Sequence, residues 1–260
     1  MGADFLGELV RRWRLSRALA ILSVFLHPSF CWSQGLVILN NRVGTQVDAP
    51  VYDFDPADPA LPLYGNGQVY NGAALTGTNF TAQLFGGPTN LAPENLTALT
   101  PSALFRTDAA GYVVPPNRAV AVPDVPESQR ARVQLRVWNN RGGSISNWQQ
   151  VLADPTIARG ASLPIITPPL GSVFIAPPNL VGLQSFSLAL PITVASLVRG
   201  PGGRFRFDYV NPTGIRYCVQ ASTDLTTWAE AGEIAPGSGR YLDAAATNYP
   251  RRFYRLVPCG

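Results

Sequence analysis

The chain has 260 residues, 46% of them hydrophobic and only 14% charged, with 24 glycines and 24 prolines. Low charge and frequent chain-breaking residues disfavour a helical protein and point to an all-β class. All 20 basic residues are arginine, and the single histidine is His27; beyond residue 33 the absence of histidine and lysine excludes Ser-His-Asp and Cys-His nucleophile activation, histidine-bound zinc and Schiff-base chemistry.

Residues 1–33 read as a cleaved secretory signal. Arg11, Arg12, Arg14 and Arg17 form a basic n-region, and Ala18 to Leu26 form a nine-residue apolar core. Cys31-Trp32-Ser33 offers small residues at the −3 and −1 positions of a cleavage site. The apolar run is too short to span a bilayer, and no later segment is long and apolar enough, so no membrane span is expected in the mature chain. Removing the four arginines and two acids of this leader leaves a formal charge near +2. No basic run remains to track a phosphate backbone, so nucleic acid is not an expected partner.

Residues 34–180 read as a first β-sandwich domain. Leu36 to Asn40 open it, and Phe80, Ala82 and Leu84 alternate with polar neighbours. The clearest strand is Arg132 to Trp138, with Val133, Leu135 and Val137 on one face and Arg132, Gln134 and Arg136 on the other. Gly and Pro clusters, among them Gly86 to Pro88, are expected to separate the strands. A short helix is predicted over Ser146 to Ala153, with Ser146 as N-cap and Gln149 at the capping-box position. Pro164 to Pro178 closes the domain as extended chain.

Asp53, Asp55 and Asp58, with Asp48 nearby, form the densest acidic cluster. A calcium ion wants several oxygen ligands from a flexible loop, and these three are the weak metal candidate. The spacing, glycine and glutamate of an EF-hand are missing, so the cluster reads first as a solvated, proline-shaped loop. No cofactor is expected. Paired carboxylates could hydrolyse glycosides without histidine, but composition offers no positive sign of it.

Residues 181–260 read as a second β-sandwich domain, with strand-like residues from Val181 to Val198 broken by Pro191. Phe205, Phe207 and Tyr209 alternate with Arg204, Arg206 and Asp208. Asn211 to Gly214 has the residues of a type I turn, and Tyr217, Val219 and Ala221 alternate beyond it, so the two runs read as a hairpin. Ser222 and Asp224 are expected to cap a turn through side-chain to backbone bonds, with Leu225 and Trp228 packed beneath. A Gly-rich turn (Pro236 to Gly239), a short strand near Tyr241-Leu242 and a last strand, Arg252 to Val257, follow. In that last strand Phe253 and Tyr254 point to opposite faces, so one of them should be buried. After signal removal Cys218 and Cys259 are the only cysteines, and an oxidising compartment favours their disulfide. Two free thiols, or a dimer linked through Cys259, are the alternatives.

The C-terminal 55 or so residues resemble a module found at the end of many exported proteins of verrucomicrobial bacteria. The likeness rests on Phe205 to Phe207, Asn211 to Gly214, Tyr217, Ala221 to Leu225, Trp228, and the run Asn248-Tyr-Pro250-Arg-Arg252-Phe-Tyr-Arg255. Asn40 to Val43, Val47 to Pro50, Ala82 to Phe85 and Val133 to Trp138 resemble the domain often found upstream. The resemblance implies an immunoglobulin- or fibronectin-III-like sandwich, an exported setting (extracellular, cell surface or periplasmic) and no known activity. Ser222, Asp224, Trp228, Phe253, Tyr254 and Arg255 would be structural residues of the motif. The expected function is that of a non-catalytic exported or cell-surface binding or structural protein. Its partner would be a surface polysaccharide or an envelope protein. A carbohydrate-binding module is the alternative, and a carboxylate-based glycoside hydrolase the third reading.

Overall fold

Period-2 alternation of apolar residues builds most of this protein, as expected of an all-β chain. The structure, a computed structural model, describes residues 34–259, and the leader read over 1–33 lies outside them. Strands of three residues or more are numbered here in chain order. The first lobe contains β1 (Gln34–Val37), β2 (Phe80–Pro88), β3 (Val120–Pro126), β4 (Ala131–Asn139), helix α1 (Trp148–Ala153) and β5 (Arg159–Ala161). β2 and β4 pair antiparallel over their full length, from Phe80 opposite Asn139 to Pro88 opposite Ala131. β5 lies on the other edge of β4, and β1 pairs with β3 in a second sheet. Val133, Leu135 and Val137 are fully buried against Val37, Val120 and Val122.

Two expectations for this lobe are corrected, and one buried arginine is added. Gly86 to Pro88 does not separate strands but ends β2. A Cβ on Gly86 would meet Leu99 at 2.9 Å, so glycine here lets the layers close. Arg136, on the face of β4 opposite Val133 and Leu135, is also buried. It is 7% exposed, with its guanidinium 4.0 Å from the Phe85 ring centre and 5.2 Å from that of Trp148, and it donates to the Pro93 carbonyl. The chain carrying α1 covers that face, where Trp138, Val151 and Ile157 form a small second core. The helix begins one residue later than expected. Asn147 is its N-cap, accepting from the Gln150 amide, and the Gln150 side chain accepts from the Ser146 amide.

The Pro-rich stretch runs extended only in part: Ile165–Ile166 pairs with β4 and Gly171 exchanges backbone bonds with Leu36, but the Ser172 amide donates to the Ile175 carbonyl and the chain turns back there. The chain from 180 to 190 also belongs to this core. Leu180, Leu183, Phe186 and Leu188 are buried in it, and the Leu188 amide donates to Tyr52. The change of core therefore falls between Leu190 and Thr193, about a dozen residues beyond the boundary read from the sequence. Phe186 and Leu188 complete the first core, which outweighs their place after the prolines.

The second lobe holds β6 (Thr193–Arg199), β7 (Phe205–Asn211), β8 (Tyr217–Ser222), β9 (Ala229–Ile234), β10 (Gly237–Asp243) and β11 (Phe253–Pro258). Its first, second and fifth strands form one antiparallel sheet in the order β6-β7-β10. The third, fourth and sixth form another, β9-β8-β11. That division into two packed antiparallel sheets makes the lobe sandwich-like. Phe207, Tyr217, Val219, Ile234 and Tyr241 fill the space between. The expected β7–β8 hairpin is wrong, because the two strands lie in different sheets. Their turn is a corner. Asn211 is 1% exposed, donates to the carbonyls of Ile215 and Ala235, and accepts from Thr213. Of the turn expected over Pro236 to Gly239, only Pro236 lies between strands; Gly237 to Gly239 begin β10, and the Tyr209 ring lies over Gly239 where a side chain would clash.

Residues 34–259 form one compact unit. The lobes meet at Tyr217, which is 2% exposed. Its hydroxyl donates to Asp58 Oδ1 at 2.6 Å and accepts from the Ala60 amide at 3.2 Å. Among the described residues no helix is long and apolar enough to cross a membrane.

Candidate binding groove

The second lobe is open along one side. β6 and β11 are both edge strands, one in each sheet, and between them runs a groove of about 410 Å³. Val194 and Leu197 line it from β6, Phe205 and Phe207 from β7, and Tyr254 and Leu256 from β11. The register of β6 breaks between Ala195 and Val198, where Ser196 has a positive φ of 54°, and this bulge throws Leu197 outward at 65% exposure.

The wall formed by β11 is held on both sides. Tyr254 stacks on Phe205 with ring centres 4.4 Å apart, and its hydroxyl donates to Asp243 Oδ2 at 2.9 Å. Burial first, and Asp243 second, push that phenol above its usual range. Arg252 donates to the same oxygen at 2.6 Å, and both partners are nearly sealed from water. Asp243 Oδ1 also caps the turn at Ala244–Asn248 through the Ala245 amide. One carboxylate thus fixes a strand, an arginine and a turn. Cys218 and Cys259 are bridged, with Cα atoms 5.1 Å apart, which pins the end of β11 to β8.

Arginines rim the groove. Arg199 donates to the carbonyls of Tyr249 and Pro250, closing one end with a 170 Å³ pocket beside Arg251 and Arg252. Arg255 lies over the Trp228 ring at 4.3 Å and donates to Gln220. No carboxylate lines either hollow among the described residues.

The remaining expected residues have structural surroundings. Ser222 Oγ accepts from the amides of Asp224 and Leu225, and Asp224 Oδ1 accepts from those of Thr226 and Thr227. The amides of Thr227 and Thr226, with the Ser222 hydroxyl, hold the Asp224 carboxyl far below its usual range. Leu225 is not packed beneath this turn: it is 56% exposed with a φ of 65°, while Trp228 lies against Arg255 and donates to the Leu225 carbonyl. Of the last-strand pair, Tyr254 packs on the core and Phe253 points away from it.

Asp53, Asp55 and Asp58 do not converge. Asp58 receives Tyr217; Asp55 accepts from Asn71 and Ala57, which lower its pKa; Asp53 is half-buried, which raises its pKa. Among the described residues no three His, Cys, Asp or Glu side chains are grouped to hold a metal.

The fold and groove together define an all-β, sandwich-like protein with an apolar, arginine-rimmed cleft. Comparison with protein-family models, curated proteins and solved structures finds no match to this chain. Sequence reasoning missed Arg199, Leu197 and Phe205 as groove residues. The alternation of Phe205 with Arg204 and Arg206 marked a strand, but not which edge it would face.

Proposed function

We propose that this protein is an exported binding protein of the cell surface or envelope, without catalysis of its own. The observation that supports it is the open groove of the second lobe, apolar inside and cationic at its rim, a composition suited to holding a partner. The disulfide fits an oxidising compartment, and the likeness of Tyr217 to Trp228 and Asn248 to Arg255 to modules of exported verrucomicrobial proteins supports the same setting. Co-sedimentation of the purified protein with the native envelope fraction is expected to saturate with concentration. Uptake that stays linear and equals that of an unrelated β-sandwich of similar charge overturns the reading.

A carbohydrate-binding module is the second reading, favoured by one observation in the first lobe. Tyr52 and Tyr70 stack with ring centres 4.3 Å apart, and Tyr64 is 39% exposed. Retention on insoluble polysaccharide that is lost in Tyr70→Ala would move the site there.

A further inference from the structure

The groove lies beside an unpaired strand edge. The Cys259 amide donates to the Arg216 carbonyl at 3.1 Å, and the register runs from Tyr217 opposite Pro258 to Ser222 opposite Phe253. Antiparallel geometry then gives Phe253, Arg255 and Val257 their backbone bonds to β8, and turns the N–H and C=O of Tyr254 and Leu256 away from it. No strand among the described residues pairs with that side. The same two residues send their side chains into the sandwich core. Backbone donors and acceptors at β spacing, next to an apolar trough, match an extended polypeptide better than a compact ligand or a sugar ring.

We propose that this groove receives an extended strand from a partner protein, which pairs with β11 through the backbone of Tyr254 and Leu256. Alternate apolar side chains of the strand fill the space between Leu197, Phe205 and Tyr254, and acidic residues at its ends meet the arginines. The identity of the occupant follows from charge. Residues 191–260 hold eight arginines against five acids, and neither Arg251 nor Arg255 forms an ion pair among the described residues. A second copy of this chain is disfavoured by the same side chains. Two-fold pairing of β11 through Tyr254 and Leu256 sets Arg255 opposite Arg255, and like charges directly opposite destabilise a sheet. The Arg199 bridge to Tyr249 and Pro250 holds one end of the trough in place beforehand, which lowers the ordering cost of binding.

This inference rests on the binding role proposed above and names the class of partner. The probe is a synthetic nine-residue peptide alternating valine and threonine, with aspartate at both ends, titrated into the disulfide-bonded protein by isothermal calorimetry. Saturable binding is expected, with slowed hydrogen exchange at the Tyr254 and Leu256 amides. Binding should weaken at least tenfold when the central residue of the peptide is proline, when its ends are lysine, and in Leu197→Arg. Leu197 is exposed on an edge strand, so Leu197→Arg should keep the parent melting temperature; Val194→Arg serves as the second variant if it does not. Absence of peptide binding, or binding that leaves those two amides unprotected, overturns the proposal. So does a dimer in sedimentation that Arg255→Glu strengthens, or polysaccharide retention that Leu197→Arg abolishes. Envelope retention that survives both groove variants removes this inference and leaves the general binding role standing; loss of saturable retention in the parent protein removes that role itself.

Discussion

Among the described residues the first lobe buries twenty-five hydrophobic side chains in one continuous cluster, whereas the core of the second contains five. The first lobe has no cysteine, and its largest sheet is covered on both faces along β4. The second lobe compensates for a thin core with a disulfide, a buried ion pair and stacked aromatic rings, and it leaves one side open. Small cores supply little net stability, and cross-links or specific polar contacts then decide whether the fold persists. The difference also shows at the strand edges: in the smaller sandwich β6 and β11 are both left without a partner on one side.

The comparison can be broken most severely at Asp243. Asp243→Ala leaves Arg252 uncompensated in a nearly sealed site and frees the Tyr254 hydroxyl and the Ala245 amide, which should cost the second lobe about 3–5 kcal/mol. Denaturant unfolding followed by Trp228 fluorescence measures it, and a loss below about 1 kcal/mol would show that the carboxylate does not organise this lobe. The paired change of Cys218 and Cys259 to serine comes next. The bridge spans 41 residues, for which the chain-entropy relation gives roughly 4 kcal/mol. The loss should be confined to the second lobe, with hydrogen exchange in β2 and β4 unchanged. If those first-lobe amides also lose protection, the two lobes fold as one unit.

Tyr217→Phe removes the hydroxyl that joins Asp58 and Ala60 across the lobes, an expected loss of about 1–2 kcal/mol. Calorimetry should then resolve two transitions further apart than in the parent. The pH profile carries the same signature. Burial, and Asp58 after it, push the Tyr217 phenol above its usual value, and burial pushes Tyr241 up to about 12. A group whose pKa is raised by folding contributes its full stability below the unfolded pKa near 10 and loses it as pH rises toward the folded value. The melting temperature should therefore begin to fall near pH 10, less steeply in Tyr217→Phe. An identical alkaline slope in both proteins would remove Tyr217 as a cause. The smallest effect is a gain: Leu225→Gly relieves a left-handed backbone at an exposed side chain and should stabilise the second lobe by up to about 1 kcal/mol in the same denaturant assay.

Much of the secondary structure was legible because strand signals are local. Alternation at Arg132 to Trp138 and Phe205 to Tyr209 marked β4 and β7, and Ser222 with Asp224 marked a capped turn. The structure also contains the cysteine pair read from the leader and the count of three. The groove was not legible, since it depends on which strands end at an edge. Nor was the polar face of β4, because burial of Arg136 depends on Phe85 and Trp148, 51 residues before it and 12 after it.

By itself the amino-acid sequence determined the all-β class and the approximate positions of the longer strands, both of which follow from composition and from periodicity within a few residues. Tertiary structure alone decided the pairing of strands. Asn211 turns β7 into β8 as a corner between sheets rather than a hairpin, because its buried side chain satisfies Ile215 and Ala235 from two parts of the chain. The same pairing assigned residues 180–190 to the first core, spread the acidic cluster over separate partners and left β11 with one unpaired edge. Each of these outcomes is a competition between contacts distant along the chain, and local pattern holds no information about which contact prevails.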